Sequence, residues 1–341
     1  MRAVAPLIDR ARNQRGVAII IVLWVVLVLS LLISGFAFTM HVETAVASFA
    51  RKQLKAEMLA RSGIEVARMQ LILDLQSPTE GGFDAPNQAW ATNEELYVDH
   101  ELGDGTYNVK VIDEESKLPI NIATDVQLKR LLNLLGVDPF DADIIVDSIL
   151  DWIDTDDLTR LNGAESDYYQ SLSPPYRAKN APIDRIEELL LVRGVTPELF
   201  HGTPATNDTE AQPGLENVLT TMSSGRVNVN TASAVVLRAL LNIDEDQIQA
   251  ILTRRDGADG IPGTEDDQPF RTTDEFFTAV GTLDQATLQQ VQGLVDVNSS
   301  FFTVTSTGEV GGVKRTIITT LRRNGSDVEP VAWREVRGGT S

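Results

Sequence analysis

Arg15-Gly16-Val17-Ala18-Ile19-Ile20-Ile21-Val22-Leu23-Trp24 opens a stretch, running on to Phe38, that holds no charged residue and no proline. As an α-helix rising about 1.5 Å per residue, residues 17–38 span about 33 Å, enough to cross a hydrocarbon core of about 30 Å. Ahead of it lie Arg2, Arg10, Arg12 and Arg15 against the single Asp9. Such a basic flank keeps the N-terminus in the cytoplasm and exports everything after the span. An ordinary signal anchor fits this pattern. A cleavable secretory peptide fits worse, because its apolar region is usually about 7–15 residues and no A-x-A site follows here.

Beyond the span, 341 residues leave room for about two soluble domains. A net charge of -20 opposes binding to nucleic acid or anionic lipid and favours basic partners or hard cations. The chain has no cysteine, which excludes thiol chemistry and cysteine-ligated zinc. His41, His100 and His201 are scattered, so a histidine-rich metal site or a serine–histidine triad has little to build on.

The helix is expected to continue to about Leu75, since the first proline after the span is Pro78. Ala60, Ile64, Ala67, Leu71 and Leu75 recur at three- and four-residue spacing and mark one apolar stripe for packing on a soluble domain. A polar stretch, Ser77–Asn93, then separates the helix from two expected hairpins. Residues 97–102 and 106–112 flank Gly103-Asp104-Gly105. Residues 301–307 and 313–321 flank Gly308 and Gly311-Gly312. About 190 residues of mostly helical pattern lie between them. The reading is therefore α+β: a long N-terminal helix packed on one antiparallel sheet, with a large all-α insertion.

The insertion repeats itself. Pro182 and Pro269 are each followed by an acidic-apolar block (Glu187-Glu188-Leu189-Leu190; Asp274-Glu275-Phe276-Phe277) and a glycine, Gly194 or Gly281, at matching offsets. Upstream, Ile120-Asn121-Ile122-Ala123-Thr124 matches Val227-Asn228-Val229-Asn230-Thr231, and each asparagine/threonine cluster can cap the helix that follows. Leu134-Leu135-Gly136-Val137-Asp138 and Leu240-Leu241-Asn242-Ile243-Asp244 mark comparable turns. This is similar to two helix-hairpin-helix (SAM-like) bundles, units that grip nucleic acid in other proteins. The acidic balance here favours packing and protein contact instead.

Two acidic loops are candidate cation sites. The first offers Asp151, Asp154, Asp156, Asp157 and Glu165. Asp154, Asp156 and Glu165 fall at positions one, three and twelve of an EF-hand-like spacing, but Thr159 stands where that motif needs glycine. The second offers Asp256, Asp259, Glu265, Asp266 and Asp267 among glycines that let the backbone curl. Carboxylates this dense repel one another unless a cation neutralises them, and all-oxygen ligands favour calcium. A solvated acidic loop is the plainer reading of each. A glycosidase-like carboxylate pair would require a substrate cleft.

The basic leader ending in Gly16, followed directly by Val17-Ala18-Ile19-Ile20-Ile21, resembles a type IV prepilin or pseudopilin signal. Asp151-Trp152-Ile153-Asp154, Gly163-Ala164-Glu165, Tyr168-Tyr169, Pro175-Tyr176-Arg177-Ala178-Lys179-Asn180-Ala181-Pro182 and Glu187-Glu188-Leu189 resemble the K-type minor pseudopilins of type II secretion (general secretion pathway protein K). The resemblance runs from Arg15 to about Leu321. It implies cleavage by a prepilin peptidase between Gly16 and Val17, N-methylation of Val17, and structural calcium in the insertion. It also implies a non-enzymatic, single-pass protein of the cell inner membrane, its N-terminus cytoplasmic and its bulk periplasmic. Its partners would be the I- and J-type minor pseudopilins and other pseudopilins at the tip of a pseudopilus that serves protein export across the outer membrane. The fifth mature residue, Glu in most of these families, is Ile21. That leaves no carboxylate for the amine of a subunit above, as suits an end position. The implied divisions are a leader (1–16), a transmembrane segment (17–38) and a pilin-like helix with first strands (39–112). A helical insertion (113–298), final strands (299–323) and a flexible tail (324–341) follow. Trp152, Tyr168 and Tyr169 read as packing residues. A bitopic periplasmic ligand-binding protein and a type IV pilus minor pilin are the alternatives.

Overall fold

A long helix, α1 (Arg10–Gln76), leads the chain. The structure, a computed structural model, describes residues 10–77, 82–205, 211–281, 283 and 285–336. Residues 1–9 of the expected leader and 337–341 of the expected tail therefore lie outside the described residues. Nearly all large apolar side chains from Val17 to Phe38 are exposed. This is the one helix among the described residues that is long and apolar enough to cross a membrane. The soluble half differs: Ala56, Leu59, Ala60, Ile64, Ala67 and Leu71 are buried against the sheet.

That sheet has five strands, β1 (His100–Leu102), β2 (Gly105–Asp113), β3 (Phe301–Val310), β4 (Val313–Asn324) and β5 (Asp327–Val336). They are antiparallel throughout, in the order β1-β2-β3-β4-β5. Alternation along β4 turns Ile317, Thr319 and Leu321 into the core beneath α1, with Tyr107, Phe302, Val304 and Val328. Small residues set how closely helix and sheet approach. A Cβ on Gly308 would meet the Ala56 carbonyl oxygen at 2.0 Å, and one on Gly63 would meet Ser306 Oγ at 2.3 Å.

Four expectations need correction. Tyr97 does not begin a strand; it closes a short helix, Glu94–Tyr97, capped by Asn93, because its ring fills the core under α1. Gly308 is no part of a turn: it lies within β3, where only a residue without a side chain clears α1, and the reversal falls to Gly311-Gly312 at φ +52° and +81°. The stretch Ser77–Asn93 is not a mere spacer, since Phe83 and Ala85 join the core of the insertion and Trp90 the core under α1. The tail is not loose over Asp327–Val336, because those residues pair along β4 from Asn324↔Asp327 to Thr316↔Val336.

The insertion leaves the sheet at Asp113 and returns at Ser299, and the two touch: Ser299 Oγ donates to Asp113 Oδ2 at 2.6 Å. Thr231 and Asn228 donate to the same oxygen at 2.5 and 3.2 Å. Beside them Arg323 grips Asp84 at 2.8 and 2.9 Å and Asp74 at 3.2 Å. Burial pushes the Asp113 carboxyl up to about 7, although the serine and threonine hydroxyls pull it down. A buried network joining these segments holds them in one arrangement.

Within the insertion the repeat is physical. Helices α2 (Asp125–Leu134) and α3 (Pro139–Ile153) form one hairpin, α4 (Ala234–Leu241) and α5 (Glu245–Arg255) the other. Gly136 turns the first at φ +80° and Asn242 the second at φ +53°. Thr124 caps α2 as expected, but Ser233 rather than the asparagine cluster caps α4. The asparagines serve a different end. Asn121 exchanges two hydrogen bonds with the backbone of Ile183 (2.8 and 3.0 Å), and Asn230 does the same with Phe270 (2.8 and 2.9 Å). Each clamp thus seizes the residue after the repeated proline, closing the far end of its own half.

Candidate metal centre

Both acidic loops leave the C-terminus of the second helix in their hairpin, α3 or α5. That end carries partial negative charge from unpaired carbonyls, so carboxylates there raise the local demand for a cation. In α3, Asp138 caps the start and the inward face bears Ala142, Ile145, Ile149 and Trp152. The same face carries Asp151 fully into the interior at 0 % exposure.

The following loop then folds back over it. Arg160 N–H donates to both Asp151 oxygens at 3.2 and 3.3 Å, and Asn162 donates twice to Asp147 Oδ2 at 3.0 and 3.1 Å. Gly163 passes so near that a Cβ would meet Asp151 Oδ2 at 2.0 Å. Arg193 fixes the exit by donating to the Gly163 carbonyl at 3.0 Å while stacking over Tyr168. Trp152, Tyr169 and Tyr176 form an aromatic bed close by, with ring centroids 5.2 Å apart between neighbours Trp152–Tyr169 and Tyr169–Tyr176. Leu158 and Leu161 are forced outward, 77 % and 96 % exposed.

The outcome is a convergence of hard oxygens. Asp151, Asp154 and Glu165 each place a carboxylate oxygen within 4.8 Å of the others. Glu165 is 2 % exposed, yet neither of its oxygens has a hydrogen-bond partner, and Asp154 Oδ1 has none either. Burial, reinforced by Asp151, Asp154, Asp157 and Asp156, pushes the Glu165 carboxyl up to about 7. Asp151 is raised too, chiefly by burial and against the pull of the Arg160 N–H. Stranded buried carboxylates are costly. The donor set fits calcium, which takes carboxylate and carbonyl oxygens in flexible number.

Asp156 and Asp157 are not drawn into that set. Asp156 Oδ1 accepts from Leu158 N–H and Asp157 Oδ1 from Asn180 Nδ2. The grouping therefore departs from the EF-hand spacing: Asp151, reaching in from the helix, joins Asp154 and Glu165 where Asp156 was expected. Sequence reading missed Asp147, Arg160 and Arg193. The helical spacing of Asp147 and Asp151, four residues apart, was a usable signal for the first of these.

The second loop is built differently. Asp256 is buried against Arg255 at 2.5 and 3.1 Å. Asp266 Oδ2 accepts from Ala258 and Asp259 N–H, Asp267 Oδ2 from Gly263 N–H, and Asp259 Oδ1 from Ile261 N–H. Thr264 Oγ1 lies 2.7 to 3.4 Å from carboxylate oxygens of Asp266, Asp267 and Asp259, though it has one proton to give. The Thr264 hydroxyl and the Ala258 N–H hold Asp266 below its usual range, while burial raises Asp267. Glu265 is exposed.

Comparison with known proteins places this architecture. The family described as Type II secretion system (T2SS), protein K matches in two parts, residues 105–202 and 227–305. Type II secretion system protein K of Pseudomonas aeruginosa is 27% identical over 327 residues, covering 92% of this chain and 90% of that protein. The protein of that name in Aeromonas hydrophila is 25% identical over 360 residues, covering 96% and 98%. Among solved structures, the GspK-GspI-GspJ complex of the enterotoxigenic Escherichia coli type 2 secretion system contains a chain of the same fold. It aligns with a TM-score of 0.67 at 20% identity, over 87% of this chain and 100% of that one.

Proposed function

Because this chain belongs to the type II secretion system protein K family and is a minor pseudopilin of that system, we propose that it sits at the tip of the periplasmic pseudopilus, with I- and J-type minor pseudopilins beside it. Its work there is assembly, with no catalytic step. The observation that carries the reading is the asymmetry of α1. One face of its soluble half is buried under the sheet, whereas Phe49, Leu54, Met58, Met69 and Leu73 on the remainder stand exposed. Apolar side chains recurring along a helix above a finished core suit burial against partner helices. Ile21 supplies no carboxylate for a subunit above, and the insertion is bulky for the interior of a helical array.

On this reading the prepilin peptidase cuts between Gly16 and Val17 and methylates Val17, the helix begins in the inner membrane, and the sheet and insertion are periplasmic. Calcium is held at the first loop by Asp151, Asp154 and Glu165. Bound there, it neutralises the carboxylates and ties the end of α3 to the loop. Asp147, Asn162 and Arg193 shape that loop whether or not the ion is present. The second loop takes a second calcium, with Thr264 and its three aspartates nearest together, and depends on it less.

The test of assembly is co-purification of the full chain, in detergent, with I- and J-type partners of the same system. A stable ternary complex that is lost in Met58→Asp is expected. Retention of the complex in that variant overturns the α1 interface. For the junction, Gly16→Phe should leave an unprocessed chain, and normal maturation of that variant removes the cleavage assignment.

A further inference from the structure

We propose that Arg160 is a tethered counter-ion that holds down the calcium affinity of the first loop; the inference rests on the calcium reading of that loop. The residue is rooted in the cluster by its own backbone, whose N–H donates to Asp151 at 3.2 and 3.3 Å. Its guanidinium is held loosely. Nε stands 3.4 Å from Asp151 Oδ1 and Nη2 3.9 Å from Asp154 Oδ2. The side chain is 47% exposed, so a path to solvent is open.

Arg255, the last residue of α5 in the second half, shows what a structural arginine looks like. It is 7% exposed, reaches Asp256 at 2.5 Å and donates to the carbonyls of Val229 and Ala232 at 3.2 and 2.6 Å. Arg160 forms no such web. It faces Asp151 Oδ1 and Asp154 Oδ2, while Asp154 Oδ1 and both Glu165 oxygens stay without partners. Once all three are ionised, three carboxylates against one guanidinium leave a deficit of two charges, the charge of calcium. The arginine therefore compensates part of the field in the metal-free protein, and an incoming cation must either displace it or bind against its charge. Both outcomes weaken binding.

The experiment is isothermal titration of calcium into the full chain in detergent, after chelator treatment, for wild type, Arg160→Gln and Arg160→Lys. Arg160→Gln is expected to bind roughly threefold or more tightly, and to keep most of that gain in 0.5 M salt, because a contact charge is screened far less than a distant one. Arg160→Lys should stay near wild type. The metal-free melting temperature should fall in Arg160→Gln, while the calcium-loaded one does not. Unchanged or weaker binding in Arg160→Gln, with wild type binding normally, overturns this proposal alone and makes Arg160 a supporting residue. No binding by any of the three overturns the calcium reading and this inference with it.

Discussion

The two acidic loops occupy equivalent places in a duplicated helical unit, each leaving a second hairpin helix and ending before an asparagine-clamped residue, yet they solve the same electrostatic problem in opposite ways. The first buries Asp151 and Glu165 and leaves Glu165 without a donor. The second curls its backbone on Gly257, Gly260 and Gly263, all at positive φ, and answers its carboxylates with N–H groups, a hydroxyl and Arg255. Acidic composition alone therefore does not decide how a loop compensates its carboxylates. What decides it is whether the backbone can turn its own donors inward.

The sharpest test of that contrast is metal removal. A ligand at a hundred times its Kd adds about 2.7 kcal/mol to the folded state. Chelator is accordingly expected to lower the melting temperature by several degrees in calorimetry. Glu165→Gln should abolish most of that drop and Asp259→Asn little of it. Equal losses in the two variants erase the distinction, and a melt indifferent to chelator with no bound metal removes calcium.

The glycines come next. Gly163→Ala drives a methyl into Asp151 and should cost about 2–4 kcal/mol, read by denaturant titration. Gly260→Ala meets no atom and bears only the strain of φ +67°, so about 1 kcal/mol is expected. A reversal of that order contradicts the close approach of Gly163 to Asp151.

A smaller effect is the pH response of the metal-free chain. Glu165 binds its proton more tightly folded, at about 7, than unfolded, at 4.5. Stability is therefore expected to rise as pH falls through that window, a slope that Glu165→Gln should flatten. Asp113, likewise raised to about 7, adds to that slope, as do the raised Asp151 and Asp267. Asp266 works the other way: its depressed value stabilises above the unfolded range and is lost on acidification. Carboxyl NMR titration separates these groups, and a Glu165 that titrates below Asp266 contradicts the buried arrangement.

Much of this was legible beforehand. Periodicity gave α1 and its inner stripe, because burying one face of a helix imposes its own spacing on the chain. The glycines read as turn positions and gave no sign of close approach: Gly308 looked like a turn until α1 lay across it. The tail looked loose because glycines, arginines and Pro330 recur along it. Its pairing is licensed by a long β4 neighbour and a register shift at Thr320/Leu321 that accommodates the proline. Of the ten carboxylates singled out, three converge, and nothing in their spacing distinguishes Asp154 from Asp156.

The sequence by itself determined the apolar span, the α+β plan and the doubled helical unit, since each depends on local composition or on spacing along one element. Only the tertiary structure decided that Asp113 and Ser299 meet, that Arg323 ties α1 to the junction, and that Arg160 rather than a nearer neighbour faces Asp151. Those are contacts between distant segments or around a loop. Their energies depend on burial, and burial exists only once the chain has folded.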